Sequence, residues 1–259
     1  MTEPSGSPAT YVYGIVPSEA TATPSGPGVE GGKLRTVACG PVAAIVSSVS
    51  THPVGARPGN LRAHSDVLQE AIQGSTALPM RFGFVMDDDD AVRLQLLEAR
   101  RPELETLLEE MSGRVEMSVK VYFLEDALLR SIVKENRAIA ELREATRRLP
   151  GHAGYYKRIE LGELILEAIE RRRRNDASRI HARLDQVAIE SVSESDVPDR
   201  MVLKAALLVE RQRIPALREC VAKLAEEHAD SMQFTCVGPL PPYSFVEFAP
   251  RAQAVAATS

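Results

Sequence analysis

Tryptophan is absent from this sequence, and all aromatic residues together make up only 5% of its 259 positions. That leaves little material for a base-stacking platform. Cysteine is almost as scarce. Cys39, Cys220 and Cys236 are too few and too scattered for a disulfide framework or a paired-cysteine zinc site, and they fit a reducing cytoplasm. Positive charge is not in excess either. Lys and Arg number 31 against 36 Asp and Glu, for a net charge of −5 and a pI near 5.7. Nucleic-acid-binding domains usually have a pI above about 9, so the balance argues against DNA or RNA as the main partner. No apolar run approaches the roughly 20 residues needed to span a bilayer, and residues 1–10 lack the basic-then-apolar order of a signal peptide. The expectation is a soluble cytoplasmic protein with no membrane partner.

What is present is ordinary for a folded protein, with 44% apolar and 26% charged residues. The length suits one large domain or two small ones. Residues 1–10 and 249–259 read as structureless tails. Tyr11–Val16 is a strand signal stopped by Pro17. Pro17–Gly32 reads as a long loop. Lys33–Cys39 and Val42–Val49 form a hairpin about Gly40-Pro41. Asn60 can cap a helix that runs to Gln73 and stops at Gly74, and Ala77–Met86 reads as a strand bent at Gly83. Asp87–Asp90 opens a helix to Met111, divided by Pro102 and ended by Gly113. Val115–Phe123 alternates strictly, with Val115, Met117, Val119, Val121 and Phe123 on one face.

A helical block with Leu128, Ile132, Ile139, Leu142 and Leu149 on one face then runs to Pro150-Gly151. A helix from about Gly154 carries the stripe Leu161, Leu164, Ile165, Ala168 and Ile169. Val187–Ser193 and Met201–Val209 read as strands. Ile214, Leu217, Val221, Leu224 and His228 mark a further amphipathic helix. Met232–Val237 is a strand, Gly238–Pro242 a rigid turn and Tyr243–Phe248 a final strand. The fold class is α+β in two domains, residues 11–124 and 125–248, with Val115–Phe123 closing the first. The second combines long helices with a small, mainly antiparallel sheet. A split β-α-β arrangement of the ferredoxin-like kind fits either.

Motifs for chemistry are few. Gly26 to Gly31 spells GxGxxG, but a strand-like run follows where the dinucleotide motif needs a helix, and Pro27 removes an N–H from the loop. A flexible loop is the better reading. The four aspartates at 87–90 suit an N-cap and the helix dipole better than a metal. His52, His64, His152, His181 and His228 form no HExxH and lie at no zinc spacing from cysteine; His228 reads as a core or boundary residue. Cys236, in phase with Met232 and Phe234, faces the core. No GxSxG elbow or P-loop occurs. No catalytic residue, metal or cofactor is assigned.

Charge is unevenly spread. Arg130–Arg183 holds 14 basic and 8 acidic residues, a surplus of +6 inside a remainder of −11. Its densest point is Arg171, Arg172, Arg173 and Arg174. These read first as a solvated helix face, with Glu167 pairing Arg171 at i, i+4. With Arg158 and Arg179 they are also the candidate partner-binding residues, since arginine forks hold carboxylates well.

Five strings in order carry a resemblance: Tyr11-Val12-Tyr13-Gly14-Ile15-Val16; Leu78-Pro79-Met80-Arg81-Phe82-Gly83; Gly113-Arg114-Val115-Glu116-Met117-Ser118-Val119-Lys120; Gly154-Tyr155-Tyr156 with Arg158 and Gly162; and Gly238-Pro239-Leu240-Pro241-Pro242-Tyr243-Ser244-Phe245. From about Tyr11 to Phe248 the chain resembles the gas vesicle protein family GvpL/GvpF. The resemblance implies a non-enzymatic accessory or minor structural protein of gas vesicles, the gas-filled protein shells that some prokaryotes build in the cytoplasm. It implies binding to the hydrophobic shell protein and to other gas vesicle proteins during assembly. It also implies two α+β domains, the N-terminal one a modified ferredoxin-like sheet with helices. The residues alone leave two other classes open: a small-molecule-binding α+β regulatory protein, and an enzyme with dispersed catalytic residues.

Overall fold

The computed structural model describes residues 9–20, 24–50, 53–149, 154–194, 197–198 and 200–246. Residues 1–8 and 249–259 of the expected tails, His52, His152 and the Pro150-Gly151 stop lie outside these residues, as do residues 247–248 of the expected last strand; Ala9 and Thr10, expected in the first tail, instead pair in the first strand. The chain divides into two units, Met1–Glu116 with Pro239–Ser259, and Met117–Gly238.

The first unit is built on β1 (Ala9–Pro17), β2 (Arg35–Cys39), β3 (Val42–Val49), α1 (Pro58–Gly74), β4 (Leu78–Pro79), β5 (Val85–Met86), a one-turn α2 (Asp89–Ala91) and α3 (Arg101–Glu110). The strands lie in the order β2-β3-β1-β4, with β5 also paired to β1. Every one of these pairings is antiparallel. The register of β1 on β3 slips between Val12 and Gly14. Such a bulge turns the following residues to the opposite face. That is why Tyr11, Tyr13 and Val16 all join the core beside Val67, Leu68, Ala71 and Ile72 of α1. Gly14 is required here, because a Cβ would stand 2.7 Å from the Leu78 carbonyl oxygen of β4. Between α2 and α3 the chain takes a π-helical turn over Val92–Glu98, with Ala99 N–H donating to Leu94 O five residues back. Pro102 sits in the first turn of α3 rather than in a helix interior.

The second unit contains β6 (Arg114–Phe123, from Met117 onward), α4 (Glu125–Glu135), α5 (Arg137–Arg147), α6 (Tyr155–Asp185), β7 (Glu190–Ser193), β8 (Met201–Glu210), α7 (Ile214–Glu227) and β9 (Met232–Leu240). Its sheet runs β7-β8-β6-β9, with β7 and β8 antiparallel. Strand, helices, two strands, helix and strand in this spatial order is the ferredoxin-like arrangement. It therefore belongs to the second unit, whereas the first has a different strand order. The boundary moves with it. Val115–Phe123 opens the second sheet instead of closing the first, because alternation reveals which faces are buried but not which strand is the neighbour.

Other expectations shift locally. The α1 N-cap is Arg57 with Pro58 following, and Asn60 instead donates to the Gly55 carbonyl at 3.0 Å. Ala77–Met86 divides into β4 and β5 around Gly83, whose φ is +88°. Gly238 to Leu240 complete β9, and Tyr243–Phe245 form a turn rather than a strand. The Gly-rich loop is pinned. Val29 N–H donates to the Tyr13 hydroxyl at 2.6 Å, and a Cβ at Gly28 would meet that hydroxyl at 2.5 Å. The aspartate run caps its helix as expected. Asp88 accepts from Ala91 N–H, and Asp89 takes two hydrogen bonds from Arg35 and one from Thr10.

Candidate interaction surface

The first unit keeps its polar chemistry inside. The Tyr11 hydroxyl lies 2.9 Å from His64 Nδ1, and Tyr243 Oη lies 3.0 Å from His64 Nε2. The Tyr13 ring stacks on the imidazole and the Phe82 ring meets it edge-on. Burial drives the His64 pKa down to about 4, against an opposing backbone hydrogen bond at Met80. Burial likewise pushes the Tyr243 phenol up to about 12 and holds the Glu116 carboxyl above its usual range. Glu116 accepts hydrogen bonds from the backbone N–H and hydroxyl of Ser244. The Tyr11–His64–Tyr243 cluster is closed, and each polar atom named has a partner. It is a packing device. Its members are 53 and 179 residues apart, so sequence reading had no signal for it beyond the two tyrosine strings.

The second unit does the reverse. α4 and α5 are separate helices because Asn136 leaves helical geometry and its side chain accepts from the N–H groups of Ala138 and Ile139. Both helices pack against α6. Between them lies a cleft of about 220 Å³ bordered by Ile132, Glu135, Asn136, Arg171, Arg172 and Asn175. This is below the roughly 300–1,000 Å³ typical of small-molecule sites.

The structure separates the six candidate arginines. Arg172 is a structural residue. It bonds Asp176 at 2.6 Å and Glu135 at 3.0 Å, and Asp176 is buried. The Asp176 carboxylate chiefly holds the Arg172 guanidinium above its usual pKa. Arg173 is tied to Glu170. Arg171 reaches Glu167 only at 3.9 Å, so the expected i, i+4 pair is present but long. Arg158 is exposed near the start of α6. Arg174 and Arg179 are exposed and take part in no ion pair among the described residues. The helix thus offers Arg171, Arg174 and Arg179 to solvent and keeps Arg172 and Arg173 for itself.

Two further features escaped sequence reading. Of the stripe Leu161, Leu164, Ile165, Ala168 and Ile169, only Ala168 is buried. Large apolar side chains stand in solvent instead at Tyr155, Tyr156, Ile159 and Leu166. Ser191, His181 and Asp185 also converge where α6 ends beside the edge strand β7, with Ser191 Oγ 3.1 Å from His181 Nε2. The hydroxyl donates to Asp185, however, so its proton is not offered to the imidazole. The three residues clip the helix to the strand. Among the described residues no three His, Cys, Asp or Glu side chains converge to hold a metal ion. No helix among them is long and apolar enough to cross a membrane.

The chain is thus two α+β units, the second carrying a long helix with apolar and cationic side chains in solvent. The sequence model for the gas vesicle synthesis protein GvpL/GvpF family matches residues 9–247, and the chain belongs to that family. Gas vesicle protein F of a Streptomyces strain is 35% identical over 92% of this chain and 100% of its own length. Gas vesicle protein L of the same strain is 29% identical over 92% of this chain and 93% of its own length. The crystal structure of GvpF from an Anabaena species superimposes with a TM-score of 0.81 at 22% identity, covering 94% of this chain and all of that one. GvpF from Microcystis aeruginosa gives 0.73 at 23% identity, covering 92% and 99%. These structures share the fold, and the family places the protein's role with gas vesicles.

Proposed function

We propose that this protein is a non-enzymatic assembly factor or minor wall component of gas vesicles, of the F type, acting in the cytoplasm where the shell is built. The observation that carries this reading is the family match across residues 9–247. The higher identity to the F than to the L protein of one Streptomyces strain, 35% against 29%, supports the F assignment. In this reading it binds the hydrophobic shell protein and other gas vesicle proteins before they join the wall. A shell subunit with a bare apolar face and open strand edges aggregates unless a partner covers it. The solvent-facing arginines Arg171, Arg174 and Arg179 supply the electrostatic part of the contact, gripping carboxylates of the partner.

Coexpression of tagged protein with the shell protein tests the binding. Copurification is the expected result, and the reading fails if the two never associate. Changing Arg171, Arg174 and Arg179 together to Gln should weaken the complex and flatten its salt dependence. An unchanged complex removes the electrostatic contribution. Deleting the gene and imaging cells by electron microscopy tests the assembly role, which normal vesicles would exclude.

A further inference from the structure

The bare apolar residues of α6 belong to a longer pattern. Tyr155, Ile159, Gly162, Leu166, Ile169, Arg173, Asp176 and Ile180 follow one another at alternating spacings of four and three. That spacing traces a single seam along a helix. Its two ends are treated differently. Asp176 and Ile180 are buried, as is Leu184 beyond them, and α6 contacts β8 of the sheet. Towards the start of the helix the same seam is largely uncovered among the described residues. Tyr155 is 56% exposed, Ile159 43% and Leu166 64%. A Cβ at Gly162 would meet nothing within 4 Å. α4 and α5 do not cover this part, because Ala168, Arg171 and Asn175, which border the cleft, lie on the far side of the helix at 100° per residue.

We propose that this bare half-seam is where two copies of the chain pack, with their α6 helices antiparallel. The seam is complementary to itself in that arrangement. Tyr155 of one copy lies opposite Leu166 of the other, and Ile159 lies opposite Gly162, whose missing side chain makes room for it. Large meets small at the centre, as knobs-into-holes packing requires. The flanks agree. Glu163 falls beside the Tyr156 hydroxyl of the second copy, and the aliphatic stem of Arg158 falls beside Ile165, so no like charges face each other.

A parallel pair is disfavoured on two grounds. It would set Gly162 against Gly162 and leave a hole in the middle. It would also drive the two sheets that cover Ile180 and Leu184 between the helices, whereas an antiparallel pair places each sheet beyond the start of the other helix. The overlap from Tyr155 to Leu166 is about 18 Å long. An interface this short makes a weak dimer, populated at high local concentration.

Disulfide trapping in the full chain tests the geometry. Positions 155 and 166 of one helix are about 16 Å apart, too far for a bond within the chain. On mild oxidation the double variant Tyr155→Cys with Leu166→Cys should give at least ten times more covalent dimer than either single variant or the parent chain with its three native cysteines. Sedimentation should show the parent's average mass rising with concentration. Leu166→Glu should hold it at the monomer mass with an unchanged melting curve. A parent that stays monomeric at every concentration, with no dimer from the double variant, overturns self-association. Strong trapping by Leu166→Cys alone overturns the antiparallel arrangement, since only a parallel pair brings residue 166 against itself.

Discussion

Tyr13 and Tyr156 are the same side chain in opposite settings. Tyr13 is wholly buried, and its hydroxyl is 2.8 Å from Ser47 Oγ and accepts from Val29 N–H. Tyr156 is 80% exposed on a helix. The contrast extends to the arginines. Arg35 in the first unit spends its guanidinium on Asp89, Thr10 and Ser48, while Arg174 in the second bonds nothing among the described residues. The first unit buries a connected polar cluster about His64. The second leaves both apolar and cationic groups in solvent along one helix.

The difference should appear first in unfolding energies. Tyr13→Ala empties a packed site and orphans the Val29 N–H, and should cost about 3–5 kcal/mol in urea denaturation. A loss below about 1 kcal/mol would mean the stack on His64 contributes little. Next is Arg172→Ala, which strands the buried Asp176 carboxylate. It should cost about 2–3 kcal/mol, less than for a fully buried pair because Arg172 is 31% exposed.

Acid should weaken the first unit selectively. The His64 pKa falls from 6.5 to about 4 on folding, so between those values the unfolded chain binds the extra proton. Stability is then complete above about pH 6.5 and is lost as the pH falls towards 4, by about 2 kcal/mol between pH 7 and pH 5. Glu116, whose pKa burial raises, works in the opposite sense. The His64 share is therefore read as the difference between the parent and His64→Gln, whose curve should lack it. The smallest effects are expected at Tyr156→Ala and Arg174→Ala, each within about 0.5 kcal/mol of the parent. A large loss at either would show that the second unit is not as open as its geometry makes it.

Local structure was legible wherever neighbouring residues determine it. Pro17, Gly40, Pro102 and Gly113 punctuate the chain where the sequence places them, and Asp88 caps its helix. The alternation of Val115 to Phe123 correctly made a strand. Its sheet partners were hidden, because β6 pairs with β8 and β9, far along the chain. Asn136 was missed as a helix break because the apolar face continues across it from Ile132 to Ile139. The π-helical turn at Val92–Glu98 has no compositional mark. At the candidate surface the four consecutive arginines were plain to see. Which of them solvent keeps depended on Glu135, a residue 37 positions from Arg172.

The division of the chain also bears on how the protein is made. The first unit is built from two separate stretches of chain, one running to Glu116 and the other from Pro239 onward. Tyr243 and Ser244 therefore reach their partners His64 and Glu116 only after the second unit has left the ribosome. The second unit, by contrast, begins and ends on the neighbouring strands β6 and β9. It is a self-contained insert, able to close on itself while the first still waits for its final turn. A chain cut short after Gly238 would therefore keep the second unit while the first lacks the Tyr243 and Ser244 contacts that close its core.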